Sequence, residues 1–157
     1  MTPAYSPGVG QSVVNHVGHC VTDVAVSRRF YEELLGFTFQ REMRPPDEPS
    51  SRLLRLPAPL GMTACYLERD GFVLELLHFA GDGAAALARR DRPVNEPGLT
   101  HISVSCDVAD VCGRIADYGG EVLPETDIQL AVFVRDPDGQ LIELLPMAYR
   151  DHIDGNR

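Results

Sequence analysis

Four ionisable side chains occupy matched places in this sequence and have the chemistry of metal ligands. Glu75 lies at the centre of the apolar run FVLELLHF, and Glu143 takes the same place in QLIELLPM. His16 and His101 each lie in an earlier strand-like segment. A buried carboxylate without a partner costs several kcal/mol, so it needs an ion pair, a proton or a metal. Two imidazoles and two carboxylates suit a divalent ion such as Ni, Co, Zn, Mn or Fe.

Each of these four residues, taken alone, also fits an ordinary surface position. The glutamates would then lie on edge strands with their carboxylates in water, and the histidines would fill the surface. Their recurrence at equivalent positions of an internal duplication favours one shared metal site over four unrelated surface residues.

A further histidine, His19, follows His16 by three residues, a spacing that resembles a local metal pair. Side chains alternate along a strand, so residues i and i+3 point to opposite faces. His19 therefore shares a face with Val17 and Val21, which must pack on the following helix. We expect His19 to be a packed or partly exposed histidine against residues 28–35, and not a ligand.

The elements that must position these residues occur twice along the chain. For the first copy, the periodicity predicts a strand, a helix, and three further strands. The first strand is predicted over residues 13–21, and the helix that follows is capped by Thr22 or Asp23 and stopped by Gly36. A second strand covers residues 37–43, and a third covers RLLRL and MTACYLE with a bulge at PAPLG. A hairpin turn at Asp70–Gly71 leads to the last strand over residues 72–79. The three prolines of residues 44–51 predict an irregular loop there.

The second copy repeats this order. It comprises a strand over residues 99–106, a capped helix over 107–120, strands at 121–125 and 130–136, a tight turn at 137–139, and a last strand over 140–147. One face of the helix carries Val108, Val111, Cys112 and Ile115.

These boundaries predict one domain, residues 13–146, made of two modules. The first module spans 13–79 and the second spans 99–146, with residues 80–98 as a linker that contains a short Ala-rich helix. Residues 1–12 are expected to form a flexible N-terminal tail, and 147–157 a C-terminal tail.

Composition limits the classes of partner. The chain has 157 residues, a net charge of −9 and no basic run, which argues against nucleic acid and anionic membranes. All 14 cationic residues are arginine, so lysine chemistry is excluded. No apolar run reaches the length of about 18 residues that spans a membrane, and no signal peptide is apparent, which predicts a cytoplasmic protein. The four cysteines form no CxxC pair and are interpreted as reduced, mostly buried thiols.

Several stretches together resemble the vicinal oxygen chelate superfamily. They are NHVGHCVTDVAVSRRFYEELLGF, DGFVLELLHF, GLTHISVSCDVADVCGRIADYGGEV and VFVRDPDGQLIELL. This group includes glyoxalase I, methylmalonyl-CoA epimerase, extradiol dioxygenases, fosfomycin-resistance transferases and bleomycin-resistance proteins. The resemblance implies an α+β fold with two βαβββ modules, whose curved mixed sheets close around one metal in a cleft. The implied ligands are His16, Glu75, His101 and Glu143.

The resemblance also implies an activity. In such proteins a divalent metal holds two adjacent oxygens of a small substrate, and a carboxylate moves a proton at the next carbon through an enolate-type intermediate. The ligand order His, Glu, His, Glu is similar to bacterial-type glyoxalase I, and epimerases often carry Gln where this chain has Glu75. We therefore expect a lyase or isomerase, with Glu143 as the mobile base and Glu75 as a ligand and possible second base.

Two alternatives remain open at this point. Extradiol dioxygenases bind iron through two His and one Glu, and a fourth carboxylate would crowd the face that takes dioxygen. A non-catalytic small-molecule binding or resistance protein would keep the fold alone. Related modules often dimerise, so a homodimer is expected, with the site either within one chain or shared between two.

The substrate is also left open. Glyoxalase I holds the carboxylates of glutathione through cationic groups, which include a lysine in many members. Here arginines would have to substitute, and the candidates are Arg44, Arg52, Arg55, Arg69 and Arg135.

Overall fold

The computed structural model describes residues 12–82 and 91–150. In the first module, the expected order of strand, helix and further strands forms, with one additional helix between the second and third strands. The elements are β1 (Val17–Cys20), α1 (Val24–Arg29) continued by a π-helical turn (Phe30–Leu34), β2 (Thr38–Met43), α2 (Asp47–Leu54), β3 (Met62–Arg69) and β4 (Phe72–Phe79).

The second module repeats the order without a counterpart of α2. Its elements are β5 (His101–Cys106), α3 (Val108–Arg114) continued by a 3₁₀ turn (Ile115–Tyr118), β6 (Glu121–Val122), a 3₁₀ turn (Pro124–Thr126), β7 (Val132–Arg135) and β8 (Leu141–Pro146). The N-terminal tail, the linker helix and the end of the C-terminal tail fall largely outside the described residues. No described helix has the length and apolar character that crossing a bilayer requires.

The two sheets have the same topology, which confirms the duplication and the α+β prediction. Their strand orders are β1-β4-β3-β2 and β5-β8-β7-β6. In each sheet the first and last strands of the module pair in parallel, and the other pairs are antiparallel. Both sheets remain open four-stranded sheets, so the expectation that they close around one metal is wrong for a single chain.

Both long helical segments begin and end as the sequence predicts. The Asp23 carboxylate accepts a hydrogen bond from Val26 N at 3.0 Å, and Asp107 accepts one from Asp110 N at 3.1 Å. These caps satisfy backbone donors that have no partner within the helix. The second helical segment ends at Gly119, whose φ of 80° suits a residue without Cβ.

The predicted irregular loop over residues 44–51 is wrong, because α2 occupies residues 47–54. Pro46 is its N-cap and Pro49 lies in its first turn, where a backbone N–H has no intrahelical acceptor. Proline therefore does not interrupt this helix. The same helix takes up most of RLLRL, so the predicted strand over that stretch is also wrong.

The modules of one chain meet through their helical sides. A Cβ added to Gly120 would lie 2.7 Å from Cε2 of the Phe30 ring, so only glycine permits this close approach. The Arg29 guanidinium lies 5.3 Å from the centre of the Tyr118 ring. One apolar core includes buried residues of both modules.

Candidate metal centre

The first pair of predicted ligands lies together on the open face of the first sheet. His16 Nε2 is 2.9 Å from Glu75 Oε2. The other carboxylate oxygen, Oε1, accepts a hydrogen bond of 2.5 Å from the Tyr66 hydroxyl. The Glu75 side chain is only 10% exposed, because β4 is an inner strand that pairs with β1 and β3. We call His16 and Glu75 half-site one.

The second pair has the same place in the second sheet. His101 Nε2 lies 3.7 Å from Glu143 Oε2, and that oxygen also accepts a hydrogen bond of 2.7 Å from the Ser103 hydroxyl. The Glu143 side chain is 27% exposed. We call His101 and Glu143 half-site two.

Strand register explains why the two half-sites match. Glu75 lies between its Cα partners Gly18 and Tyr66, and the Tyr66 side chain projects to the same face of the sheet as Glu75. Glu143 lies likewise between Ser103 and Phe133. In both modules the central aromatic packs edge-on against the histidine, with ring centres 5.5 Å apart for His16–Tyr66 and 5.3 Å apart for His101–Phe133.

Hydrogen bonds at Nδ1 orient both imidazoles toward their carboxylates. His16 Nδ1 lies 2.6 Å from the amide oxygen of Asn15, and His101 Nδ1 lies 2.8 Å from the Thr100 hydroxyl. In the tautomer that donates from Nδ1 to the Asn15 oxygen, Nε2 presents its lone pair to the Glu75 carboxylate, where a divalent ion would bind both groups. In the other tautomer, Nε2 donates directly to that carboxylate.

The donor types of both half-sites, and the spacing of half-site one, fit a divalent metal. Two donors at right angles, each about 2.1 Å from one ion, lie about 3 Å apart, close to the separation in half-site one. Within the described part of one chain, however, no three His, Cys, Asp or Glu side chains group as a metal site. The structure therefore brings His16 to Glu75 and His101 to Glu143, and leaves the pairs separate.

Two supporting residues are absent from the sequence-based site. Burial, followed by the hydrogen bond to Glu75, raises the pKa of Tyr66, so its hydroxyl stays protonated and donates at neutral pH. Ser103 plays the donor role in the second module. Alternation shows which residues of a strand share the face of each glutamate. Together with the strand order, it would identify Tyr66 and Ser103 as cross-strand neighbours of Glu75 and Glu143.

His19 has the packed role that alternation predicts. It is 9% exposed, and its ring packs edge-on against Tyr31 with centres 6.1 Å apart. Its Nε2 lies 2.7 Å from Asp136 Oδ2, which also accepts a hydrogen bond from the Tyr31 hydroxyl at 2.9 Å. Burial alone would raise the pKa of Asp136, but the hydrogen bond and charge of His19 bring it below its ordinary value. This buried contact fixes the second module against the first.

One of the arginines proposed from sequence as substrate-binding groups, Arg135, shares the face of half-site two, because it pairs in register with Leu141, as His101 does. Its guanidinium is paired with Asp91 at 2.9 Å. Arg69 and Arg52 pair with Asp70 and Glu48 at 3.5 and 3.7 Å. Arg44 lines an open cleft of about 730 Å³ with residues at the start of α1 and the end of β4. Arg55 lies at the C-terminal end of α2 with a left-handed backbone. A different arginine, Arg41, lies beside half-site one, with its guanidinium carbon 4.6 Å from the centre of the Tyr66 ring.

The four cysteines are free thiols with little nucleophilic character. Cys65 is buried, Cys106 and Cys112 are half-buried and Cys20 is exposed, so the expectation of mostly buried thiols is wrong. Burial raises the pKa of both Cys65 and Cys106 to about 11. A thiol with that pKa carries almost no thiolate at neutral pH, so these two residues are not nucleophiles.

Comparison with solved structures supports the fold. Trypanothione-dependent glyoxalase I of Leishmania major is 24% identical, with a TM-score of 0.63 over 90% of this chain and 91% of that one. A glyoxalase family protein from Bacillus cereus is 17% identical, with a TM-score of 0.72 over 90% and 98%. Fosfomycin resistance protein FosX from Listeria monocytogenes, in complex with Mn(II) and sulfate, is 14% identical, with a TM-score of 0.57 over 90% and 98%.

At these identities the structural matches establish the fold alone. No curated protein sequence matches the chain. The family model of the Glyoxalase/Bleomycin resistance protein/Dioxygenase superfamily matches residues 13–144, which is most of the sequence. The chain therefore belongs to the Glyoxalase/Bleomycin resistance protein/Dioxygenase superfamily.

Proposed function

We propose that this protein is a divalent-metal-dependent lyase or isomerase that chelates two adjacent oxygens of a small substrate and transfers a proton at the neighbouring carbon. The observation that carries the proposal is the imidazole–carboxylate contact of 2.9 Å in half-site one, with a related pair at the same register of the second sheet. A repeated pair of this kind lies on the face of each sheet opposite the core that the two modules share, so the packing of that core does not account for it.

The proposed site is completed by a second chain. The modules of one chain are joined through their helical sides, and both half-sites lie on the other faces of open sheets. A twofold axis can place half-site one of each chain against half-site two of its partner, which gives two equivalent sites per dimer. His16 and Glu75 from one chain, with His101 and Glu143 from the other, would then hold the ion. A divalent ion bound by these residues would supply Lewis-acid chemistry to two adjacent substrate oxygens.

The two carboxylates have different proposed roles. Glu75 is held at both oxygens, by the Tyr66 hydroxyl and by His16, and its side chain is mostly buried. This favours a fixed ligand. Glu143 is more exposed, and both of its contacts are made at Oε2. Rotation of its side chain leaves the sheet undisturbed, so Glu143 is the better candidate for the base that takes the proton.

Among related folds, the FosX structure was determined with Mn(II), which supports a divalent ion in a sheet of this shape. The first test is metal analysis of protein purified without a nickel column. We expect about one divalent ion per chain. Protein that contains no such ion, and that gains neither ligand binding nor turnover when Ni, Co, Zn, Mn or Fe is added, would contradict the proposal.

A second measurement separates the reaction classes. Solvent deuterium incorporation into candidate 2-oxo-aldehyde adducts or acyl-CoA thioesters reports proton transfer, whereas oxygen uptake with catechols reports a dioxygenase. We expect deuterium incorporation without oxygen uptake. The opposite result would favour the extradiol alternative, and ligand binding without either reaction would favour a non-catalytic binding or resistance protein.

A further inference from the structure

A β-bulge in β2 changes the face to which Arg41 projects. Phe39 pairs with Leu67 and Arg41 pairs with Tyr66, so Gln40 is the extra residue between two consecutive partners. Without the bulge, Arg41 would project to the same face as Phe39. That face also carries Leu67 and packs toward the helices. The additional residue turns Arg41 to the face that carries Glu75. Bulges are frequent beside functional sites, where they redirect one side chain.

The redirected arginine lies against the same tyrosine that holds half-site one. Its guanidinium carbon is 4.6 Å from the centre of the Tyr66 ring, and the Tyr66 hydroxyl donates to Glu75. Stacking on the ring and a side-chain hydrogen bond with Tyr66 orient the planar guanidinium. A guanidinium has five N–H donors, so further donors are available to a ligand. Arg41, Tyr66 and Glu75 therefore form a row across three adjacent strands, from a cation to the proposed metal ligand.

The charge of Arg41 has no carboxylate partner in residues 12–82 and 91–150. Most other described arginines are paired, as Arg28 is with Glu32 at 2.7 Å. Arg41 is also exposed. The protein carries a net charge of −9, so a cation that is left available on one particular face is suited to attract an anion there.

We propose that Arg41 is a specificity-determining residue that binds a carboxylate of the substrate, at the end remote from the two chelated oxygens. The substrate class is then a carboxylate-bearing compound with two adjacent oxygens. A guanidinium binds a carboxylate through two parallel N–H···O bonds, which adds direction to the charge attraction. This inference rests on the proposed metal-dependent function, because the chelated oxygens define the other end of the substrate.

The test uses two hydroxamates, which chelate metals through adjacent oxygens and need no turnover. Acetohydroxamate is uncharged beyond its chelating group, whereas succinomonohydroxamate carries a distal carboxylate. Their dissociation constants are measured by calorimetry on the full-length protein loaded with cobalt(II). We expect the wild type to bind succinomonohydroxamate about tenfold more tightly, and Arg41→Gln to lose that preference while its affinity for acetohydroxamate is unchanged.

Two further variants control for charge and for general effects of losing an arginine. Arg41→Lys keeps the charge without the planar fork, and we expect it to retain part of the preference. Arg52→Gln removes an exposed arginine on α2, and we expect the wild-type preference.

The outcomes separate the two proposals. An unchanged preference in Arg41→Gln, or equal affinities in the wild type, would overturn the role of Arg41 and leave the metal site intact. If neither hydroxamate binds to any variant, the metal-dependent function itself fails, and the role of Arg41 fails with it.

Discussion

The two half-sites have the same backbone framework and differ in what surrounds the carboxylate. Tyr66 donates to Glu75 from one neighbouring strand, and the other neighbour at that register, Gly18, has no side chain. In the second module the aromatic is Phe133, which has no donor, and Ser103 supplies the hydrogen bond from the opposite strand. The duplicated sheets thus support similar imidazole–carboxylate pairs through different neighbours.

The edge strands extend this difference. β2 has six residues and a bulge that directs Arg41 beside half-site one, whereas β6 has only two residues. The first module therefore offers a fixed carboxylate beside Arg41, which has no carboxylate partner among the described residues. The second offers a more exposed carboxylate, and the arginine on its face, Arg135, is paired with Asp91. A duplication that begins with equivalent pairs can divide ligand, base and substrate-binding roles between its copies in this way.

The largest expected effect distinguishes the two carboxylates. Glu143→Gln should lower turnover by about 10²- to 10⁴-fold, because an amide cannot accept the proton, while the fold is largely kept. Glu75→Gln should mainly reduce metal content. Deuterium exchange and metal analysis of both variants, with circular dichroism as the control for folding, give the comparison. Full activity of Glu143→Gln would remove it as the base.

A second large effect concerns the joint that fixes the modules against each other. Asp136→Asn should lower the free energy of unfolding by about 3–5 kcal/mol, because it breaks a buried pair and exchanges an acceptor for a donor near His19. Chemical denaturation measures the change. Asp138→Asn is the comparison variant, since Asp138 also joins the modules but from a half-buried position, where it accepts hydrogen bonds from Thr22 N at 3.0 Å, Thr22 Oγ1 at 2.6 Å and Ser27 Oγ at 3.3 Å. We expect it to lose less stability than Asp136→Asn. Equal losses in the two variants would contradict a special role for the buried pair.

The same joint predicts a direction of pH dependence. The pKa of Asp136 is lowered in the folded state, so its contribution to stability is present above the unfolded pKa of about 3.9 and is lost as the pH falls through the folded value. Denaturation curves from pH 6 to about pH 2 should therefore show a steeper loss for the wild type than for Asp136→Asn. If the unfolding free energies of the two proteins fell in parallel with decreasing pH, a group other than Asp136 would control the loss of stability in acid.

A smaller effect is expected when the first half-site is made to resemble the second. Tyr66→Phe removes the donor to Glu75 and copies the residue type of Phe133. We expect metal affinity to fall by about 10- to 100-fold, as for loss of other groups that orient a metal ligand. Competition with a fluorescent chelator measures it. An unchanged affinity would show that the Tyr66 contact does not orient the ligand.

The smallest effect is expected at Ser103. Ser103→Ala removes one neutral hydroxyl donor from a carboxylate that is already partly exposed, so metal affinity should fall by about tenfold or less. The pair of variants is informative together. A larger loss for Ser103→Ala than for Tyr66→Phe would reverse the assignment of fixed and mobile carboxylates.

Much of the fold could be predicted from sequence because local patterns and global structure agree. The alternation around His19, the caps at Asp23 and Asp107, and the Asp70–Gly71 turn each depend on neighbouring residues only. α2 was missed because proline was interpreted as a helix breaker without regard to its position, although the first turn of a helix tolerates it.

The candidate site was less accessible to the same reasoning. Glu75 and Glu143 were predicted as ligands because a carboxylate inside an apolar strand is conspicuous, and repetition reinforced the prediction. The sequence did not indicate Arg41, because the extra Gln40 reverses the alternation and no residue type marks a bulge of this kind. The proposed pairing of half-sites between chains also depends on surfaces beyond one chain, which periodicity does not describe.

The most direct measurement tests whether one metal site draws on two chains. One chain carries His16→Ala and Glu75→Ala, the other carries His101→Ala and Glu143→Ala, and different affinity tags isolate the heterodimer after co-expression. If each metal site is shared between two chains, one of the two sites of the heterodimer keeps all four ligands and the other keeps none. We therefore predict about one metal ion per heterodimer and half of the wild-type activity. Both homodimers should bind none. A heterodimer without metal or activity, beside a wild type that has both, would contradict the shared site.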